Sequence, residues 1–293
     1  MHTPVLIKEV IQCLNPKPNQ NFIDATVGDG GHAAAVLEKI SPGGKLLAID
    51  RDSDSIVRAK SRLKEFGNRV LFINDSFGNL EKIARENDFG LANGILFDFG
   101  MSSSQLENSG RGFTFTKDEI LDMRYDVKTP ITAEDVVNRY SEKELTEVLK
   151  KFGEEPHAIK VARAIIQNRR KERIKTTGEL TKIIDKTMRK RGRLHPSTLV
   201  FQALRIEVNQ ELAEIEKSLK IVLEILKKGG RSAFISFHSL EDRLIKNWSK
   251  DLGKLGIIKI LNKKPIRASL EEIRINPRSR SAKLRIITKD DHN

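Results

Sequence analysis

The sequence predicts an α/β protein whose single sheet domain is interrupted by an all-helical insertion. Three observations carry that expectation. The first hundred residues alternate short β-rich runs with amphipathic helical runs, the order that builds a parallel sheet with right-handed crossovers. After Phe99 the alternation stops, and residues of about 107–195 carry helical periodicity without a convincing strand. From Arg231 the alternation resumes. The expected domains are therefore 1–106 together with 196–293, and an inserted helical domain at 107–195 serving RNA or substrate recognition.

Taken in order, the first four strands are NFIDAT (21–26), KLLAID (45–50), RVLFI (69–73) and GILFDF (94–99). Helical patterns lie between them at 32–40, 53–66 and 77–87, and Ser41-Pro42-Gly43-Gly44 breaks the chain after the first. Within the insertion, EKELTEVLKKF and IKVARAIIQNRRK have the clearest helical periodicity. A long helix is expected from Thr198 to Lys227, closed by Gly229-Gly230. RSAFISF (231–237) is the next strand, followed by a helix at 239–250 and strands near 257–261 and 283–288. Ser239 is the expected N-cap of the helix at 239–250, with Asp242 as its capping-box acid. His238 then stands at the carboxyl edge of the sheet, either as a ligand contact or as a capping and packing group.

With 293 residues, 38% hydrophobic and 32% charged, the composition is that of a soluble globular protein able to bury a sizeable core. No apolar run approaches the roughly 18 residues of a membrane span. The N-terminal MHTPVLIKEV lacks the pattern of a secretory signal, so the cytoplasm is the expected compartment. A single cysteine, Cys13, excludes intrachain disulfides and any cysteine-cluster zinc site, and its place on an apolar face predicts burial. The net charge of +13 is concentrated: 160–193 carries +10 and 254–289 carries +9, leaving the remainder at −6. Charge segregated in this way points to a polyanionic partner, most simply nucleic acid, against the plainer reading of solvated helix faces. Arg169-Arg170-Lys171 and Arg189-Lys190-Arg191 are assigned to nucleic-acid contact.

FIDATVGDGGH (22–32) runs from a strand into a glycine-rich turn, and Gly28, Gly30 and Ala33 fit the dinucleotide fingerprint G-x-G-x-x-A. Asp50, twenty residues beyond Gly30 at a strand end, suits a ribose in either NAD or S-adenosylmethionine. The acids decide between them. Asp24 at the head of the loop would repel a diphosphate, yet it suits a ligand bearing an ammonium and a sulfonium. Asp24, Asp50, Asp75 and Asp98 end four consecutive strands and place four carboxylates round one pocket, which favours the cationic methyl donor.

The acceptor follows by chemistry. A ring-carbon methyltransferase attacks with cysteine, and Cys13 lies before the first strand, far from the reacting edge. Transfer to an exocyclic amine requires only in-line placement and an acceptor that orients the amine hydrogens. Asp98 in LFDFGMSSSQ is that acceptor, with Phe99 beside it for base stacking; a loop-ordering carboxylate is the alternative. Asp98-Phe99-Gly100 also spells the kinase metal tripeptide, but no catalytic-loop H-R-D or strand lysine accompanies it. Arg111, Phe113 and Phe115 could stack on RNA or, for the two rings, pack in a core.

Several blocks carry a resemblance. HTPVLIKEV, DATVGDGGH, LLAIDRD, LFDFGMSSSQL, RGFTF, LDMRYD, FGEEPHAIKVARAI, HPSTLVFQALRIEVNQEL, ISFHSLEDR and NPRSRSAKLRI together resemble the bacterial ribosomal small-subunit RNA methyltransferase H family, from His2 to about Ile287. The resemblance implies a class I S-adenosylmethionine-dependent methyltransferase (Rossmann-like) sheet with an inserted helical domain. It further implies methyl transfer from S-adenosyl-L-methionine to N4 of a cytidine in the decoding centre of 16S rRNA. The partner would be 16S rRNA in the small ribosomal subunit, with no membrane, no metal and a homodimer compatible with these features. Carried over residue by residue, the donor contacts fall on Gly30, Gly31, His32, Asp50, Phe77, Asp98 and Gln105. Phe77 would wall the adenine, while Gln105 follows from the resemblance alone. The segment TKDEILDMRYD departs from the family in lacking a glycine-proline and in having Tyr125 where methionine is usual. Two rivals remain at this point: an NAD-dependent oxidoreductase and a non-catalytic ribosome-assembly factor.

Overall fold

In the computed structural model, which describes residues 4–188 and 195–290, seven strands form one sheet; Arg189-Lys190-Arg191 lies outside the described residues. The strands are β1 (Phe22–Asp24), β2 (Leu46–Asp50), β3 (Val70–Asn74), β4 (Ala92–Asp98), β5 (Leu226–Ser236), β6 (Ile258–Ile260) and β7 (Lys283–Lys289). Their order is β3-β2-β1-β4-β5-β7-β6. The first five run parallel, as the alternation predicts. The last pairings do not: β7 is antiparallel to both β5 and β6. The crossover after β5 returns β6 in the same direction but one strand-width away, and β7 fills the slot running the opposite way.

The helices are α1 (Ile7–Leu14), α2 (Gly31–Lys39), α3 (Ser53–Arg62), α4 (Leu80–Glu86), α5 (Ser103–Asn108), α6 (Ala133–Arg139), α7 (Glu142–Gly153), α8 (Ala158–Arg169), α9 (Thr177–Thr187), α10 (Ser197–Asn209), α11 (Glu211–Ile225), α12 (Ser239–Lys254) and α13 (Leu270–Ile275). The chain divides into two compact units, Met1–Gly100 with Leu212–Asn293, and Met101–Glu211. In the first unit both sheet faces are covered. Val10, Val36, Leu37, Ile56 and Ala59 from α1, α2 and α3 pack on one face; Ile83, Ile215, Val222 and Ile245 from α4, α11 and α12 pack on the other. Phe97 and Phe234, neighbours on β4 and β5, stack at 5.2 Å between ring centres and are fully buried. The sheet is of the doubly wound, Rossmann-like type, closed at one side by an antiparallel strand.

In the second unit, α7 packs against both α8 and α10, and Leu145, Leu149, Val161, Ile165 and Leu204 belong to the shared core. Three of its helices, α6, α7 and α9, start where a hydroxyl and an acid three residues on satisfy each other's backbone: Thr132 with Asp135, Ser141 with Glu144, and Thr176 with Glu179. An isolated bridge, Ile120 to Thr176, is the extended pairing found among its described residues.

Four expectations are corrected. The long helix 198–227 breaks at Gln210, whose φ of 51° ends α10 and lets α11 start afresh. Gly229 and Gly230 fall within β5, which begins at Leu226, earlier than Arg231. The N-cap of α12 is His238, one residue before Ser239, with Glu241 and not Asp242 as its capping acid. Cys13 is half-buried, not buried. Among the described residues, no helix is long and apolar enough to cross a membrane.

Candidate active site

The loops after the parallel strands meet at one edge of the first unit, and backbone hydrogen bonds fix them to one another. Asp98 N–H donates to Thr26 Oγ1 at 2.6 Å, tying the end of β4 to the turn after β1. Asp24 Oδ1 accepts Thr26 N–H at 3.2 Å within that turn. Asp50 accepts twice, from Gly28 N–H at 2.9 Å and from Asp52 N–H at 2.9 Å. Each carboxylate oxygen has two lone pairs, so one further bond at each remains open to a pair of ribose hydroxyls. Arg58 on α3 holds Asp29 of the glycine turn at 2.7 Å.

The turn needs its glycines for two different reasons. Gly30, the N-cap of α2, has φ +77°, a conformation in which a Cβ is strained. Gly31 is closed in by Pro4, whose ring a Cβ would overlap. With a glycine cap that offers no side chain, the first-turn N–H groups of α2 have neither an intrahelical nor a capping partner among the described residues, an arrangement suited to a carboxylate.

His32 follows on α2 and is buried, and neither ring nitrogen has a hydrogen-bond partner among the described residues. Asp98 Oδ1 likewise has none among them, and its Oδ2 lies 3.7 Å from His32 Nε2. Burial, followed by the Arg62 charge, holds the imidazole pKa down to about 4, so the ring is neutral at physiological pH. The carboxyls move the other way. Burial raises Asp24 to about 8, reinforced by the Asp98 and Asp50 charges. It raises Asp98 to about 7 against a Gly100 N–H bond that lowers it, and Asp50 to about 6. Three acids thus share one field. The fourth expected acid, Asp75, turns back on its own loop and takes the Ser76 N–H at 2.6 Å and Asn79 Nδ2 at 2.8 Å.

Phe77 opens the short 3-10 turn after β3 and is half-buried, its ring edge-on to Phe97 at 6.0 Å and against Phe99 at 5.5 Å. Gln105 belongs to the second unit. It completes the capping box of α5, its side chain accepting Ser102 N–H at 2.9 Å and its own N–H reaching Ser102 Oγ at 3.1 Å. In that unit Phe113 is buried on Tyr125 at 5.3 Å and Phe115 packs on Phe201 at 5.4 Å, so core packing accounts for both rings. Arg111 donates to the Arg124 and Tyr125 carbonyls. His238 acts as the cap: its Nδ1 accepts Glu241 N–H, and Nε2 lies 3.1 Å from Glu241 Oε1.

These unsatisfied polar atoms and crowded acids fit a ligand with cationic centres and hydroxyls better than a pyrophosphate. The profile of the MraW methylase family matches residues 1–290. The chain belongs to that family.

Two proteins named ribosomal RNA small subunit methyltransferase H are among the relatives of this MraW methylase. One, from Sulfurihydrogenibium sp., is 45% identical over 97% of this chain and 98% of that protein. The other, from Clostridioides difficile, is 41% identical over 98% of both. A solved structure described as a putative rRNA-methylase from Clostridium thermocellum aligns over 99% of this chain and all of that one, at 11% identity and a TM-score of 0.49. The MraW methylase is a methyltransferase, and its methyl donor is S-adenosylmethionine. Sequence spacing missed Thr26, Arg58 and Glu241, which shape the pocket through partners that are distant in sequence or hidden by the fold. Thr26 and Glu241 sit inside the motifs DATVGDGGH and ISFHSLEDR; Arg58 had no signal beyond its place on a helix.

Proposed function

We propose that this MraW methylase transfers the methyl group of S-adenosylmethionine to the N4 amine of a cytidine in the decoding centre of 16S rRNA, working on the small subunit in the cytoplasm. The observation that carries the reading is Asp98: a mostly buried carboxylate at the tip of β4, with one oxygen unpartnered among the described residues, beside Phe99. The names of the relatives support the substrate, and the clustered acids support the donor.

When bound, the donor supplies an electrophilic methyl carbon on a cationic sulfur. Asp50 would hold the ribose hydroxyls, Phe77 the adenine face, and the uncapped start of α2 at Gly31 and His32 the carboxylate; Gln105 is carried as a further contact. Asp98 would accept an amine hydrogen, turning the nitrogen lone pair toward the methyl carbon, and would take up the proton released as the N–C bond forms and the methyl carbon–sulfur bond breaks, its electron pair leaving on a neutral sulfur. Bringing the base out of its stack precedes this. The helical segment 107–195 is assigned to substrate recognition.

The cations divide by what already holds them. Arg163 pairs with Glu142, Arg173 with Glu134, Arg169 bonds the Val137 carbonyl, and Lys283 and Arg285 pair with Asp242. Arg170, Lys171, Lys175, Lys263, Lys264 and Arg267 are exposed and are assigned to rRNA phosphates.

The test is direct. Small subunits from a strain lacking the gene are incubated with the protein and methyl-labelled donor, then digested for mass spectrometry. One labelled N4-methylcytidine in the decoding centre is expected. RNA binding without label would return the assembly-factor reading, and affinity for NADH in place of S-adenosylhomocysteine would return the oxidoreductase.

A further inference from the structure

The turn after β3 is built from outside itself. Ser76 caps it, its Oγ accepting Gly78 N–H at 3.1 Å, and the same hydroxyl meets Oε2 of Glu214 on α11. Glu214 is 8% exposed, and its other oxygen accepts Lys217 Nζ at 2.7 Å. A Cβ on Gly78 would overlap this carboxylate, so a glycine is what allows Glu214 to close over the turn. At the other end, Asp75 takes the Ser76 and Asn79 donors, and Asp75 N–H reaches the Asp50 carbonyl at 3.1 Å. Burial pushes the Glu214 carboxyl up. The Lys217 and Ser76 hydrogen bonds, with the Lys217 and Arg51 charges, outweigh it and leave the group below its usual value, a fixed anion at neutral pH.

Phe77 lies between Ser76 and Gly78, the two residues Glu214 touches, and it is the residue whose ring faces the aromatic cluster of Phe97 and Phe99. Three residues of 3-10 turn have little stiffness of their own. We propose that Glu214 is a positioning residue of the methyl-donor site, its carboxylate locked on Ser76 Oγ to hold the Phe77 ring at the angle that walls the adenine. This rests on the reading of Phe77 as the adenine wall given above. It makes Glu214 a determinant of the adenine end of the ligand and not of its amino-acid end.

The probes are S-adenosylhomocysteine and 5′-methylthioadenosine, which keeps adenine and ribose but lacks the amino-acid tail. Both are titrated calorimetrically into wild type, Glu214→Ala, Ser76→Ala, the double variant and Glu214→Gln. Loss of a hydrogen bond to a buried charged group translates to a Kd rise of about tenfold or more, expected equally for both probes in Glu214→Ala. Ser76→Ala should do the same, with the double variant no weaker than either single one. Glutamine keeps an acceptor for the Ser76 hydroxyl and should recover most of the affinity. Should Glu214→Ala fail to fold, Gly78→Ala displaces the carboxylate with Glu214 still present and should give the same tenfold rise. A lowered Tm with unchanged Kd in the folded variants would overturn the inference, as would a loss confined to S-adenosylhomocysteine. If wild type binds neither probe, the donor reading itself falls; if wild type binds both and the variants match it, only the Glu214 inference falls.

Discussion

His32 Nε2 stands 3.7 Å from Asp98 Oδ2, and the two side chains share no hydrogen bond. A neutral imidazole beside a carboxyl raised to about 7 leaves Asp98 able both to accept a hydrogen and to keep a proton at neutral pH. Asp98→Asn preserves shape and still accepts a hydrogen at its amide oxygen, but it can neither carry the negative charge nor take up a proton. The single-turnover methylation rate should fall about a hundredfold or more, with RNA affinity within about twofold of wild type in a filter-binding assay. Turnover at the wild-type rate would remove Asp98 from the chemistry.

The raised carboxyls make donor binding depend on pH. Asp24, Asp98 and Asp50, raised to about 8, 7 and 6, are part-protonated without ligand between pH 6 and 8, and a cationic ligand favours their ionised forms. Protons therefore leave on binding, and affinity rises with pH across that window. Because these groups bind protons more tightly folded than unfolded, their contribution to the stability of the free protein is full below about pH 4 and is lost as pH rises through 6 to 8. Thermal shifts at pH 6 and pH 8 should show the advantage of S-adenosylmethionine over S-adenosylhomocysteine growing with pH. A constant advantage would mean that the acids do not meet the sulfonium.

Gly30→Ala tests the turn. An alanine at φ +77° costs about 1–2 kcal/mol, and its Cβ meets Leu63 at 3.3 Å. Denaturant unfolding should record a loss of about that size, and donor affinity should fall with it because the start of α2 shifts.

Neighbouring cations should separate by role. Arg170→Ala with Lys171→Ala should leave Tm unchanged and flatten the salt dependence of RNA binding by about 0.7–0.9 in slope for each phosphate left without its cation. Arg169→Ala should instead lower Tm, since its guanidinium satisfies the Val137 carbonyl at 2.7 Å. An unchanged salt slope in the first variant would take that segment out of the RNA footprint.

The first four strands and the helices between them were legible because each writes its periodicity within a few residues. The direction of β7 was not, since a strand carries no mark of which way its neighbour runs. Nor was the break at Gln210, where a left-handed residue stops a helix without glycine or proline to announce it. In the site, the glycine turn and Asp50 follow a local pattern. Asp75 misled because a carboxylate at a strand end can as easily serve its own loop as a ligand. Arg58 and Glu214 act across 29 and 138 residues of sequence, distances over which spacing says nothing.

The pairing of β4 with β5 places Asp98 opposite Ile235, with all of 99–225 threaded between the two strands. As the chain leaves the ribosome during its own synthesis, β4 must wait for that whole stretch before its second neighbour exists. Closing so long a loop is slow relative to the local packing of α7, α8 and α10, which can form while the half-built sheet still shows a bare apolar edge. Such an edge is a template for pairing with the wrong strand. The architecture that sets a helical unit between two central strands therefore makes the nascent protein most vulnerable to aggregation in the interval before β5 arrives, and makes chaperone protection most valuable then.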